Sequence, residues 1–264
     1  MTVTPKVFLI GETRVVEPGL AAYLAHIGIP GWESDALSDS EKLIEVMGRL
    51  CYRSFAPGLN PNVTKVREHN VDYIANILKT RHGSVIEHPM MNFIFADVSR
   101  VFTHELVRHR VGVGISQESL RFVRISEPKL FVPTVISEDE TAMEIWTQIG
   151  EEMDVLYRDL ERRLSGHFKL DESGTPFHLK KLVTSAIRRR APDGLATAIG
   201  WSANPRTLRW VIEMRTEPSA EEEIRLVFGE VAQICINRYP NLFGDFEYVE
   251  TEGLPWYKPA NSKI

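Results

Sequence analysis

The segment Met91 to Val98, MNFIFADV, constrains this chain most. An apolar run of that length fits a buried strand, and a buried strand must be covered by other elements. Lys6 to Ile10, a short apolar run that stops at Gly11, suits a second strand, and Leu195 to Trp201 suits a third. Ser38-Asp39-Ser40-Glu41 has the form of a capping box. The helix after it carries Leu43, Ile44, Met47, Leu50 and Cys51 at the spacing of a core-facing stripe. Beyond the loop Pro57 to Asn62, a further helix runs to about Thr80 with Val71, Ile74, Ile77 and Leu78 inward. Ser99 is placed to cap a helix that reaches His109. Further helices are expected over Glu138 to Leu164, Leu179 to Arg190, Arg206 to Arg215 and Ala220 to Arg238. Pro18 to Asp39, broken by Pro30 and Gly31, reads as connecting structure, and the aromatic, proline-rich tail after Pro240 reads as irregular.

Composition narrows what such a chain serves. Its 264 residues are 43% apolar and 25% charged, enough for a core without disulfides. The net charge of -5 and pI of about 5.9 argue against a nucleic-acid coat or a binder of anionic membranes. A local basic pocket for one phosphate remains compatible with that charge. No run of about 18 apolar residues suggests a membrane span. The start, MTVTPKVFLIGETRV, lacks the basic and apolar regions of a signal peptide, so a cytoplasmic protein is expected. Cys51 and Cys235 both fall in apolar-periodic stretches and read as buried free thiols.

The densest polar cluster is HELVRHRVGVGISQESLRF, from His104 to Phe122. A solvated helix end has a similar composition. However, Phe102, Glu105, Leu106 and His109 fall at i, i+3, i+4 and i+7, which sets Glu105 and His109 on an apolar face. An unpaired charge there is costly, so these two need each other or a ligand. Gly112 and Gly114 allow close approach of backbone to a ligand. A second cluster, RHGSVIEH from Arg81 to His88, sits at a helix end before the buried strand, where His82, Ser84 and Glu87 read on their own as an ordinary turn. In the third, SANPRTLRWVIEMR, Leu208, Val211 and Ile212 face inward and Arg215 continues their stripe. Such an arginine is seldom buried without an anion or another partner. Arg188 to Arg190 end the preceding helix, where Arg189 and Arg190 suit its dipole.

Two near-motifs fail. His104 and His109 stand five apart, about 500° of helix, and cannot chelate one zinc ion as HExxH does. Gly112-Val113-Gly114 lacks the third glycine of a dinucleotide fingerprint and follows a helix rather than a strand.

Together these residues resemble the flavin-dependent thymidylate synthases. That family is marked by Arg-His-Arg, seven or eight residues, then Ser-x-Arg. Here the motif stands as Arg108-His109-Arg110, eight residues, and Ser119-Leu120-Arg121. Supporting matches are GRLCYRSF, HGSVIEH, THELVRHR, Arg188 with Pro192, Asn204-x-Arg206, and Arg215 eleven residues after Asn204.

The resemblance implies α+β subunits with a mainly antiparallel central sheet flanked by helices. One domain would span residues 1–264, with an N-terminal extension over about the first 40, and four copies would form a homotetramer with interfacial sites. FAD would lie against His82, Ser84 and Glu87. Arg108, His109 and Arg110 would hold the flavin and its phosphates, with Asn204 and Arg206 contributed from another subunit. The nucleotide, dUMP or UMP, would be bound by Glu105, Arg108, Gln117, Glu118, Ser119, Leu120, Arg121 and Arg188, with Arg215 at the uracil edge. Arg215 and Ser119 would stand at the reacting centre, Ser119 binding rather than attacking. NADPH and methylenetetrahydrofolate would be cosubstrates, and neither metal nor nucleic acid is implied.

The residue types suit that chemistry. Carbon 5 of uracil is a weak nucleophile, and fixed donors at the carbonyl oxygens stabilise the enolate-like charge that develops as it attacks. Arginine is always charged and offers a planar fork for this purpose. Departures from the family pattern lie at Glu118, Ser219 and Trp210. They leave two alternatives open: methylation of UMP in specialised metabolism, and a non-catalytic nucleotide-binding relative. A metal hydrolase would rest on His82, His88, His104 and His109 alone.

Overall fold

The computed structural model describes residues 2–119 and 129–262. The chain runs β1 (Lys6–Glu12), α1 (Glu17–His26), α2 (Asp39–Tyr52) and α3 (Asn70–Lys79), then a 3-10 segment, Gly83–Glu87. β2 (Met91–Ser99), α4 (Arg100–Leu106) and β3 (Val113–Gln117) follow, then α5 (Thr134–Ser137), α6 (Glu140–His167) and α7 (Phe177–Ile187). The last part is β4 (Ala196–Ala203), α8 (Pro205–Arg215), α9 (Glu222–Arg238), α10 (Pro240–Phe243), β5 (Phe246–Thr251) and β6 (Leu254–Pro259). The α+β expectation holds. One sheet has the order β1-β2-β4-β3, and β5 pairs with β6 antiparallel. No helix among the described residues is long and apolar enough to cross a membrane.

The chain divides into two compact units. The first comprises Met1–Lys6, Phe95–Val107 and Ser116–Ile199; the second comprises Val7–Ile94, Arg108–Ile115 and Gly200–Ile264. In the first, Phe95 and Phe102 meet edge to face, and Leu170, Val183 and Ile187 form a small core with Tyr157, Leu164 and Leu179. In the second, Trp201 lies between Phe93 and Phe228. MNFIFADV is a strand as expected, burying Met91, Phe93 and Phe95 in alternation. Alternation assigns those side chains to one face, because successive residues of a strand point to opposite sides.

Several expectations need correction. Ser38 caps α2, accepting from the Glu41 backbone N–H, but the buried face of α2 is charged: Glu41, Glu45 and Arg49 go inward with Ile44. Leu50 and Cys51 are exposed, and only Cys235 is the buried thiol expected. Val71 is exposed as well, its place on α3 being taken by Tyr73. The stretch from Pro18 to Asp39 is not all connecting structure: α1 occupies Glu17–His26, and Pro18 lies in its first turn, where its missing N–H costs nothing. Leu24 of that helix packs with Val46 and Phe55. The tail after Pro240 is regular structure, a short helix and a hairpin, rather than irregular.

Candidate functional site

Ser99 caps α4 as expected, accepting from the Phe102 N–H at 3.0 Å, but the helix ends at Leu106 and not at His109. His109 therefore does not share a helical face with Glu105. It lies in the other unit, where it is 3% exposed, and its partner comes from the far end of α8. Arg215 Nε donates to His109 Nε2 at 2.8 Å. Arg215 was expected to need an anion or another partner, and a neutral imidazole is one that it has.

That geometry fixes the tautomer. With Nε2 accepting, the ring proton sits on Nδ1. Burial, together with the adjacent Arg215 guanidinium, pushes His109 down to about 4, so the ring is neutral near pH 7. Nδ1 is buried with no hydrogen-bond partner. A buried donor left unmatched is uncommon and points to a missing acceptor. Trp210 on α8 closes the other side, its ring edge-on to His109 at 5.1 Å.

The start of α8 holds the loop after His109. Asn204 caps the helix by accepting from the Thr207 N–H at 2.9 Å, and Pro205 follows in the first turn. Thr207 Oγ1 donates to the Val111 carbonyl at 2.8 Å, and the Asn204 N–H donates to the Gly112 carbonyl at 3.2 Å. Gly112 has φ +67°, and a Cβ there would stand 2.3 Å from Asn204 Nδ2, so only glycine fits. Beside this junction lies a cavity of about 430 Å³, lined by Glu87, Gly112, Asn204, Arg206, Trp210 and Glu213 among others. Arg206 pairs with Glu87, both half exposed. A Cβ on Gly83 would come within 2.7 Å of Arg206 Nε. His82 precedes that glycine, half-buried and edge-on to Tyr52 at 5.7 Å, and Ser84 is exposed.

The structure thus brings His82, Ser84, Glu87, Arg108, His109, Arg110, Asn204, Arg206 and Arg215 into one unit, with Arg108 and Arg110 exposed. Glu105, Gln117, Glu118, Ser119 and Arg188 belong to the other. There, Gln117 Nε2 donates to Thr103 Oγ1 at 3.2 Å, while Glu118 pairs through its backbone and its carboxylate with Ala198. Glu105, Ser119 and Arg188 are half-buried. Leu120 and Arg121 lie outside the described residues. Thr207, Val111 and Trp210 were not singled out as site residues; Asn-Pro-Arg-Thr, a cap followed by proline, was the available signal for the first. Among the described residues no three or more His, Cys, Asp or Glu side chains gather as metal ligands.

Fold and site together define an α+β protein in which the buried imidazole of His109 meets the half-buried guanidinium of Arg215, near a cavity lined by Glu87, Asn204, Arg206 and Trp210. Comparison with known proteins gives the family. The family profile described as "Thymidylate synthase complementing protein" matches residues 34–241. The flavin-dependent thymidylate synthase of Corynebacterium glutamicum is 34% identical over 224 residues, covering 83% of this chain and 84% of the relative. That of Mycobacterium avium is 32% identical over 238 residues, covering 90% and 91%. The chain belongs to the flavin-dependent thymidylate synthase family.

Solved structures agree in fold. The UMP/dUMP methylase PolB from Streptomyces cacaoi, bound with 5-Br dUMP, superposes with a TM-score of 0.63 at 13% identity, over 92% of this chain and 95% of that one. ThyX from Helicobacter pylori, complexed with FAD and dUMP, gives 0.56 at 19% identity, over 91% and 98%.

Proposed function

We propose that this chain binds FAD and methylates carbon 5 of dUMP, giving dTMP, with methylenetetrahydrofolate as carbon donor and NADPH as reductant, in a homotetramer. In this reading residues 1–264 act as one catalytic domain whose first residues, about 40, are an extension. The observation that carries the proposal is the Arg215–His109 pair with its unmatched Nδ1 donor, set inside the family's Arg-His-Arg motif.

The residues present fit a flavin. His109 Nδ1–H lacks an acceptor, Gly112 lets the backbone come close, and the cavity between Glu87 and Trp210 offers both polar and aromatic walls. His82, Ser84, Glu87, Arg108, His109, Arg110, Asn204 and Arg206 would hold FAD. When bound, FAD supplies the reducing equivalents and handles the one-carbon unit. Arg215 directs its guanidinium at the uracil edge and stabilises negative charge on the carbonyl oxygen as carbon 5 attacks. His109 holds Arg215 at Nε, which orients the guanidinium for that task. Glu105, Gln117, Glu118, Ser119, Leu120, Arg121 and Arg188 would orient the nucleotide, the arginines meeting its phosphate.

The test is reconstitution. Purified protein incubated with FAD should turn yellow, with absorbance near 450 nm. With methylenetetrahydrofolate and NADPH it should convert dUMP to a product one methyl group heavier. Faster turnover of UMP would reassign the nucleotide; nucleotide binding without NADPH oxidation would mark a non-catalytic relative. Colourless protein that takes up no FAD would overturn the reading.

A further inference from the structure

α8 divides its residues between two faces. Leu208, Val211 and Ile212 are buried. On another side Arg206, Trp210 and Glu213 fall at i, i+4 and i+7, within about 60° of one another around the helix. All three line the cavity of about 430 Å³ beside the Asn204 junction. The two charged members have partners within the chain: Arg206 pairs with Glu87, and Glu213 accepts from Ser262 Oγ at 2.5 Å. Trp210, between them, is 45% exposed. A lone exposed aromatic is ordinary on a convex surface. This one stands in a concave wall, on a helix whose apolar packing is already satisfied on its buried side.

The lining suits a planar heteroaromatic ring, which has apolar faces and polar edges. Trp210 and Pro259 supply apolar surface, while Glu87, Arg206 and Glu213 supply charged groups for an edge. The volume falls among small-molecule pockets, which run from roughly 300 to 1,000 Å³. Position selects the ring. Trp210 meets His109 edge-on at 5.1 Å, and His109 holds Arg215, the residue set at the uracil edge in the proposed function. Of the two ring systems of FAD, only the isoalloxazine takes part in the chemistry and must lie beside the uracil.

We infer that Trp210 supplies the face on which the isoalloxazine ring of FAD lies. The inference rests on the function proposed above and gives a positioning role to a residue at which this chain departs from the family pattern. The indole is electron-rich and the oxidised isoalloxazine electron-poor, so offset stacking attracts them beyond the area it buries. The same contact darkens the flavin: on excitation one electron passes from indole to flavin and returns, so emission is lost with no net chemistry. A side chain that only filled space at this position would not have that signature.

Titrating the full chain with FAD and, separately, with riboflavin, which lacks the adenine, tests this. Trp210→Ala should weaken the binding of both by about 10- to 100-fold, the worth of one ring stacked on an aromatic side chain. Trp210→Phe should bind both within about 5-fold of wild type, yet its bound flavin should emit more brightly, because phenylalanine stacks without donating an electron. Circular dichroism of each variant reports the fold; if the alanine variant unfolds, the emission of the phenylalanine variant decides. Wild type that binds FAD no better than Trp210→Ala does would overturn the role of Trp210 and leave the flavin reading standing. Weakened FAD binding with unchanged riboflavin binding would assign the indole to the adenine and overturn the choice of ring. Bound flavin equally dim in Trp210→Phe and wild type would overturn the stacked contact. Wild type that takes up no flavin would overturn the proposed function and this inference with it.

Discussion

Two buried polar clusters in the same unit differ in one respect. Around Arg49, every guanidinium nitrogen has a partner. Its Nε and Nη2 donate to Glu45 Oε1 at 2.8 and 2.6 Å, and Nη1 and Nη2 donate to the Ser54 and Arg67 carbonyls, both at 2.7 Å. Glu45 Oε2 in turn accepts from Ser34 Oγ at 2.5 Å and Asn70 Nδ2 at 2.7 Å. The Arg49 guanidinium also lies over the Tyr73 ring, at 4.6 Å. Around His109 the pattern stops short: one ring nitrogen is matched and the other is not. A saturated network fixes architecture, because each member is needed by its neighbours. In the function proposed above, the unmatched nitrogen of His109 is where a bound group would supply the acceptor.

Mutations can break or sharpen that contrast. The largest effect is expected at Arg49→Met, which leaves Glu45 buried without its counter-charge. Stability in urea should fall by about 3–5 kcal/mol. If it falls by less than about 1, the cluster is not the keystone it resembles. Arg215→Ala should act on chemistry instead, lowering turnover about 100- to 1000-fold, with its melting temperature close to wild type. Unfolding of that variant would make Arg215 structural.

The next effect is one of pH. His109 takes a proton near 6.5 when unfolded but only near 4 in the fold. Between those values the unfolded chain binds a proton that the native state refuses, so this group's contribution to stability is complete above about 6.5 and lost as pH falls to 4. The loss is about 3 kcal/mol. His109→Gln should flatten that part of the pH–stability curve, and an unchanged slope would show that the ring is not buried in its neutral form. The smallest effect belongs to the saturated side. Ser38→Ala removes the α2 cap and should cost about 1 kcal/mol, while flavin uptake, read from absorbance, stays unchanged.

How much was legible in the sequence divides along the same line. MNFIFADV and the helices after residue 140 announce themselves by apolar period. The buried face of α2 does not, because a period drawn from apolar residues cannot register Glu45 and Arg49 going inward together. The polar cluster from His104 was legible as a cluster, but its helical extrapolation ran three residues too far and paired His109 with the wrong neighbour. Arg215 lies 106 residues from His109, a separation that no local pattern spans. The hairpin of the tail left a fainter mark. Glu252 and Gly253, both at positive φ, form its two-residue turn between Thr251 and Leu254, a role in which glycine is common.

One feature of α8 reaches beyond the site it serves. Arg209, 4% exposed, grips Asp245 with both Nη groups, at 2.6 and 2.8 Å, and also holds the carbonyls of Leu242 and Asn261. The same helix presents Asn204 at its start and Arg215 at its end. The C-terminal ribbon therefore works as a splint for the helix that carries Arg215. A protease nick at Gly253 would remove no ligand-facing atom, yet it would loosen the set of that helix and show up as weaker flavin retention.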